Sequence, residues 1–479
     1  MSASGARSMS VVESVNPANE EVVGKYKLMS PEEVDARVGA AAGAQQRWGR
    51  VDVAERAGHL RSLAAQLHKR RSDLAWLITT EMGKPLEQAR AEVDKSAFCF
   101  EYYAENGPGF LADRAAPADT PDSRVAFRPV GVVLALMPWN YPLWQVVRAL
   151  APALIGGNTV VLKHAANVTG CALLLQDVVE QAGLPPGALS VVVVRGGDVA
   201  PVIADPRIRA VTLTGSDTVG VQVAKAAGEQ LKKCVLELGG SDAFIVLEDA
   251  DVEAAAATAV HARFLNAGQS CIAAKRFIVV DAVADRFTEA FVEGVRQLRV
   301  GDPVDETTTM GPMARQDLRV EIEGQLARSL SDGARLLTGG SRPYDQGWFY
   351  APTVVEGCDA ATTCFRQETF GPLAGIAQVR DTGEAIALAN DSVFGLAGAL
   401  WTADEARLNE ISRELETGAL FLNGMSHSDP RLPFGGVKRS GYGRELADFG
   451  VREFVNVQTL WAPPPAGTAT PTPTWLNTE

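Results

Sequence analysis

Between residues 130 and 238 five short apolar runs recur, at 130–137, 159–162, 190–194, 210–214 and 235–238, rich in valine and leucine and separated by alanine-rich helical stretches. Runs this short, apolar throughout rather than alternating, have the character of strands covered on both faces. Strand and helix in regular alternation lead to one compact arrangement, a parallel doubly wound sheet with helices on each side. The alternation restarts with strands at 243–247 and 276–280, a helix at 251–265 between them and another at 287–298. It resumes late, where the turn Glu416-Thr417-Gly418 leads into a strand at 419–423. This second α/β region is the expected catalytic part. Ahead of both, 31–49 and 53–82 read as amphipathic helices, the second carrying Leu60, Leu63, Leu67, Leu74 and Leu77 at helical spacing. Gly83-Lys84-Pro85 interrupts that pattern before a further helical segment to about residue 104. The first ten residues read as flexible, and the Pro/Thr/Ala-rich end, 462–479, as a disordered tail.

Bulk properties narrow the partners. The net charge is −13, from 45 basic and 58 acidic residues, which argues against nucleic acid as a main partner, because phosphate binding needs clustered Lys and Arg. No apolar run is long enough to span a membrane and the N-terminus lacks a signal-peptide core. The expectation is a cytoplasmic protein with no membrane partner. Six cysteines are scattered without Cys-x-x-Cys or His-rich spacing, so no metal site is expected. For all but one of them the simplest reading is a small buried hydrophobe.

The exception is Cys271, in the small polar stretch Asn266-Ala267-Gly268-Gln269-Ser270-Cys271. A thiol with glycine nearby can be approached closely by a substrate, and a small thiolate fraction makes a strong nucleophile. Its competing reading is an inert core cysteine. Glu237 lies in Leu236-Glu237-Leu238-Gly239-Gly240, at the end of an apolar strand. A carboxylate there is costly to bury without a use; alternatively it faces solvent. Asn140, in Met137-Pro138-Trp139-Asn140, offers an amide donor to a developing oxyanion, or is only a turn residue. Nucleophile, base and oxyanion donor are the parts needed to turn an aldehyde into an acid. For a cofactor, Leu213-Thr214-Gly215-Ser216 passes from a strand to a helix start, where backbone N–H groups suit a pyrophosphate. Lys163, after the strand at 159–162, can reach ribose or phosphate oxygens, or is a solvated lysine.

Taken with Glu368-Thr369-Phe370-Gly371-Pro372 and Pro433-Phe434-Gly435-Gly436-Val437-Lys438, these segments resemble the aldehyde dehydrogenase superfamily from about residue 15 to 461. The resemblance implies a Rossmann-type cofactor domain (10–119 and 137–236), an α/β catalytic domain (237–440) and a small bridging β element for oligomerisation (120–136 and 441–461). It implies that Cys271 is the nucleophile, Glu237 the general base and Asn140 the oxyanion donor, with the Cys271 backbone N–H as its partner. Lys163 and Glu368 match residues that hold ribose hydroxyls. Gly215 and Ser216 match the pyrophosphate turn, Trp139 and Gly239 belong to the cofactor site, and Phe370 matches an aromatic near the nicotinamide ribose. A homodimer or homotetramer is implied.

Leu162-Lys163-His164-Ala165-Ala166-Asn167, Gly268-Gln269-Ser270-Cys271-Ile272-Ala273-Ala274-Lys275-Arg276 and the stretch 435–445 are most similar to bacterial succinate-semialdehyde dehydrogenases. That substrate carries a carboxylate opposite its aldehyde, so the pocket should hold a cation. Arg148, eight residues after Asn140, matches a substrate-binding arginine; Arg263, Ser428 and Arg431 are weaker candidates. Trp144 and Phe264 would instead line a pocket for neutral aliphatic or aromatic aldehydes, glutarate semialdehyde is a further alternative, and a thiol esterase a remote one. Many superfamily members carry glutamate where this chain has Ala166. Without an acid to repel a 2′-phosphate, NADP is admissible and favoured, with NAD possible. No redox switch with a cysteine next to the nucleophile is expected, since Ile272-Ala273-Ala274 follow it.

Overall fold

The computed structural model describes residues 11–116, 118 and 123–461; the flexible start and the disordered tail expected at 462–479 fall outside them. A six-stranded sheet runs Gly441–Tyr442, Lys233–Glu237, Ile208–Thr214, Val132–Met137, Thr159–His164, Leu189–Val191. All its pairs are parallel except the edge strand Gly441–Tyr442. Side chains alternate strictly across it: Val133, Ala135 and Met137 enter one core, and Val132, Leu134 and Leu136 the other. Burial of both faces is why these strands read as unbroken apolar runs.

A seven-stranded sheet follows, in the order Arg335–Thr338, Thr353–Glu356, Leu373–Val379, Ala274–Val280, Asp242–Val246, Ala397–Trp401, Ala419–Leu422. Only its first pair is antiparallel. Phe244, Phe277, Phe287 and Phe291 pack on one face, with Phe277 and Phe291 ring centres 4.8 Å apart; Ile245, Ile278 and Val280 fill the other. The expected doubly wound α/β architecture is therefore present twice.

A three-stranded antiparallel sheet joins Val455–Leu460, Arg124–Pro129 and Arg114–Ala115. Its membership differs from the boundaries expected of the bridging element. Val132–Met137 lies in the middle of the six-stranded sheet, Gly441–Tyr442 edges that same sheet, and Arg114–Ala115 joins the three-stranded one. The chain switches sheets at Gly131, whose φ of +133° suits only glycine. The helix expected at 53–82 is two, Val53–Lys69 and Arg71–Met82, broken where Arg70 takes φ −99° and ψ 15°. The strand expected to reach residue 194 ends at Val191. No helix among the described residues is long and apolar enough to cross a membrane.

Candidate active site

Helix Val252–Phe264 ends in a tight turn, Leu265–Gly268, in which Asn266 (φ 56°), Ala267 (φ 54°) and Gly268 (φ 71°) are all left-handed. For a buried alanine this backbone costs on the order of 1–3 kcal/mol and persists only where its surroundings dictate it. They do. Asn266 Nδ2 donates to the carbonyls of Asn140 (2.8 Å) and Gln269 (3.2 Å). Gln269 Nε2 donates to the Asn266 carbonyl at 3.1 Å, while its Oε1 accepts from the Ala314 N–H at 2.8 Å. Beyond the turn, the fully buried Lys275 ammonium donates to the carbonyls of Ser270 (2.9 Å) and Cys271 (2.7 Å). The result is a fixed loop that leaves Cys271 partly exposed while Cys99, Cys171, Cys234, Cys358 and Cys364 are buried. Burial pushes the Cys271 thiol up to about 12, against the opposing pull of Arg148 and Lys275.

Asn140 follows the central strand Val132–Met137 and is buried; its Nδ2 donates to the Gln269 carbonyl at 3.0 Å. A primary amide has two N–H donors, so one remains. Glu237 is the last residue of strand Lys233–Glu237 and is only 2% exposed, which removes the solvent-facing alternative. Among the described residues, neither of its carboxylate oxygens has a hydrogen-bond partner. Burial holds the carboxyl well above its usual range, Glu445 adds to this, and Arg148 and Arg444 oppose it. A Cβ at Gly435 would stand 2.7 Å from Glu237 Oε1, so the carboxylate lies directly against that glycine. One at Gly240 would stand 2.5 Å from the Cys271 carbonyl, so the turn after Glu237 packs on the cysteine loop.

The Cys271 side chain opens into a cavity of about 450 Å³. Its walls are partly apolar, with Trp144, Leu265, Ile272, Met425 and Phe434. Its charged groups mostly pair off. Lys84 is ion-paired with Glu92, and Arg148 Nε stands 2.8 Å from Glu445 Oε2, both side chains buried, with the guanidinium 4.5 Å from the Phe434 ring centre. Arg148 thus lines the cavity as expected, but its charge is already matched. Lys95 Nζ lies 3.1 Å from Ser428 Oγ and 4.3 Å from the Trp144 ring centre, with no carboxylate partner among the described residues.

Three expected pocket residues are elsewhere. Arg263 is fully buried and donates to the carbonyls of Leu373 (2.9 Å), Thr369 (2.8 Å) and Gly371. It therefore pins the segment 369–373. Arg431 is exposed and bound to Asp429 at 2.6 Å. Phe264 is packed in the core beside Phe291. Trp144 and Ser428 do line the cavity, hydrogen-bonded to each other at 2.9 Å.

The expected cofactor residues collect along the C-terminal ends of the six-stranded sheet. Ser216 caps helix Asp217–Gly228, its Oγ accepting from the Val219 N–H at 3.4 Å, and Gly215 N–H bonds the Glu237 carbonyl at 3.0 Å. Lys163, near the end of Thr159–His164, makes no ion pair among the described residues, and burial lowers its pKa. Ala166 opens the 3-10 turn Ala166–Val168. Glu368 accepts from the Gly240 N–H at 3.0 Å, and a Cβ at Gly239 would come 2.6 Å from its Oε2. Trp139 and Phe370 meet edge to face at 5.7 Å. A capped helix N-terminus, an unpaired ammonium and glycines leaving room at a carboxylate suit a dinucleotide's phosphates and ribose hydroxyls.

Sequence reasoning gave no role to Lys275, Glu445, Lys95, Glu92 or Lys84. For Lys275 the signal was present, a charged residue inside an apolar strand. Glu92 accepts from the Leu143 and Trp144 N–H groups at 2.9 and 3.0 Å, capping helix Trp144–Ile155 from a distant part of the chain.

The sequence model of the aldehyde dehydrogenase family matches residues 4–460. The chain is 45% identical over 448 residues to succinate semialdehyde dehydrogenase (NAD(P)+) of Escherichia coli, covering 94% of this chain and 97% of that one. It is 44% identical to succinate-semialdehyde dehydrogenase (NADP(+)) 1 of Mycobacterium tuberculosis, covering 94% and 99%. The solved structure of succinic semialdehyde dehydrogenase from Streptococcus pyogenes in complex with NADP+ superposes with a TM-score of 0.91 at 36% identity, over 94% of this chain and all of that one.

Proposed function

Since the chain belongs to the aldehyde dehydrogenase family, we propose that its substrate is an aldehyde bearing a distal carboxylate, succinate semialdehyde above all, oxidised to the dicarboxylate with NADP, NAD serving as well. The observation that carries this reading is the Lys95 ammonium in the Cys271 cavity, which has no carboxylate partner among the described residues, while Lys84 pairs with Glu92, Arg148 with Glu445 and the lining carboxylate Glu87 with Arg90.

In this mechanism the Cys271 thiol gives up its proton, to Glu237 or to solvent, and the thiolate sulfur bonds the aldehyde carbon while the C=O π pair passes to the oxygen. The second Asn140 N–H and the Cys271 backbone N–H hold the resulting oxyanion, where preorganised donors contribute most. The nicotinamide, when bound, supplies the hydride acceptor that takes the hemithioacetal to a thioester. Lys163 and Glu368 would hold its ribose hydroxyls, Ser216 and the helix start its pyrophosphate. Lys275 keeps the cysteine loop still. Glu237 takes a proton from the water that cleaves the thioester; burial holds its carboxyl above the usual range and so makes the carboxylate a stronger base. The absence of an acidic side chain at Ala166 and the unpaired Lys163 support NADP. The exposed outer strand Val455–Leu460, with Val457 61% exposed, supports pairing with a second copy in a dimer or tetramer.

The apolar walls favour a second reading, a neutral aliphatic or aromatic aldehyde. The two are separated by nucleotide reduction with succinic semialdehyde and with butanal, its uncharged analogue. The charged substrate should lead in kcat/KM by about 30-fold or more, the effect of a paired buried charge. Equal values, or a lead for butanal, would remove the semialdehyde assignment and leave the dehydrogenase chemistry standing.

A further inference from the structure

We propose that Lys95, with the Ser428 hydroxyl, is the clamp that binds the substrate's distal carboxylate, and that Arg148 serves instead to hold Glu445 beside Glu237. The inference rests on the reading that the substrate carries such a carboxylate.

Lys95 projects from helix Leu86–Phe110 into the cavity wall formed by Trp144 and Ser428. Its ammonium has three N–H donors, and the hydrogen bond found for it uses one, to Ser428 Oγ at 3.1 Å. A serine oxygen has two lone pairs. In Ser428 one accepts from Trp144 Nε1 at 2.9 Å and the other from Lys95. With both lone pairs taken, the Ser428 O–H proton can only be donated outward. An ammonium and a hydroxyl that both have donors to spare, side by side in a cavity wall, suit a group with acceptors alone, which a carboxylate is. The Trp144 ring beneath fixes the ammonium without neutralising it.

The other cations of the cavity already have their charge matched, although Arg148 Nε and Nη2 make no hydrogen bond among the described residues. The Arg148 charge meets Glu445 at 2.8 Å and its flat face covers Phe434. Lys84 is held between Glu92 and the Tyr141 ring, 3.6 Å from the ring centre. The carboxylates nearest in charge to Lys95 are also engaged: Glu92 with Lys84 and two backbone N–H groups, Asp429 with Arg431. Cys271, Arg148 and Lys95 all line this one cavity. An aldehyde bonded to Cys271 and a carboxylate at Lys95 would then share this cavity, with the carbon chain against its apolar walls.

Lys95 is poised to lose its charge. Burial and the neighbouring Arg148 pull it down to about 8, against Cys99, Asp429 and Glu92. The ratio of kcat/KM for succinic semialdehyde over butanal, measured in the unaltered enzyme from pH 7 to 10, should therefore fall about tenfold or more across pH 8–9.5. A flat ratio over that range would overturn the proposal. In K95M, and in K95Q as a polar uncharged alternative, the same ratio should collapse by about 30-fold or more at pH 7, through KM for the semialdehyde. S428A should lower it less, by about fivefold. If the unaltered enzyme shows no preference for the semialdehyde, the substrate reading itself fails. If it shows the preference and K95M keeps it, the substrate reading stands and the assignment to Lys95 is wrong.

Discussion

Replacing Glu92 by methionine should destabilise the protein far more than the same replacement of its partner Lys84, although both belong to one buried ion pair whose side chains are 2% and 1% exposed. The pair is asymmetric. In K84M the Glu92 carboxylate keeps two N–H donors, Leu143 at 2.9 Å and Trp144 at 3.0 Å, and stays at the positive end of helix Trp144–Ile155. In E92M the Lys84 ammonium is left with the Tyr141 ring, and the two amides lose their acceptor, because Leu143 gives that helix no side-chain cap. Breaking a buried pair in this direction costs about 3–5 kcal/mol. The K84M change should cost about 1–3 kcal/mol, since its remaining charge stays hydrogen-bonded. The double variant buries no charge and should be more stable than E92M. Urea unfolding followed by tryptophan fluorescence reads this directly: with a slope of about 3 kcal/mol/M, the E92M midpoint falls by about 1–1.7 M. Burial already draws the Lys84 ammonium below its ordinary value. The orphaned amine therefore sheds its proton more readily in the folded state, and the E92M penalty should shrink from pH 7 to pH 9. Equal losses in the two single variants, or a double variant weaker than E92M, would refute this account of the helix cap.

Three further outcomes are expected. Iodoacetamide should modify Cys271 of the free enzyme slowly at neutral pH, with a rate that still climbs at pH 10, because burial holds the thiol near 12; a plateau below pH 9 would contradict the geometry. K275M frees the Ser270 and Cys271 carbonyls, and kcat should fall about 100-fold, the effect of small misplacement at a reacting centre; a kcat within threefold of the parent would show that the loop does not need the clamp. His164 is buried, with Nε2 facing the Pro142 carbonyl at 2.8 Å, and burial lowers its pKa to about 4. The unfolded chain binds that proton from about pH 6.5 downward and the folded chain does not, so stability rises with pH across this window. Acidification from pH 6.5 to 4 should thus remove roughly 3 kcal/mol that H164Q does not lose, read as the difference in unfolding midpoint between the two proteins.

The runs that alternate with helices could be read in the sequence because burial on both faces leaves a local trace, an unbroken apolar strand. Val132–Met137 carries it throughout, and Thr159–His164 and Ala274–Val280 carry it over 160–162 and 277–280. Strands Leu373–Val379 and Ala397–Trp401 were not recognised, since their alanines and glycines have little strand preference and are strands only because neighbours already in the sheet pair with them. The sheet switch at Gly131 was missed for a related reason: pairing partners are set by the path of the whole chain, not by the residues that are paired. Cys271, Glu237 and Asn140 were legible because each breaks its local pattern, a thiol among small polar residues, a carboxylate in an apolar strand, an amide after a strand end.

What the sequence alone determined was the two wound α/β units and the identity of the reactive groups, since both depend on residue type and on spacing within one element. Only the tertiary structure decided which charges are free. Arg148 and Lys95 are 53 positions apart in sequence, and nothing local distinguishes a spare cation from a matched one. Glu445, brought to Arg148 from the far end of the chain, takes the arginine's charge, while Asp429 is taken by Arg431 and Glu92 by Lys84. Charge neutralisation is a property of space, through separations of a few ångströms in a low-dielectric interior, and so the residue left to meet a substrate emerges only once every other pair has been closed.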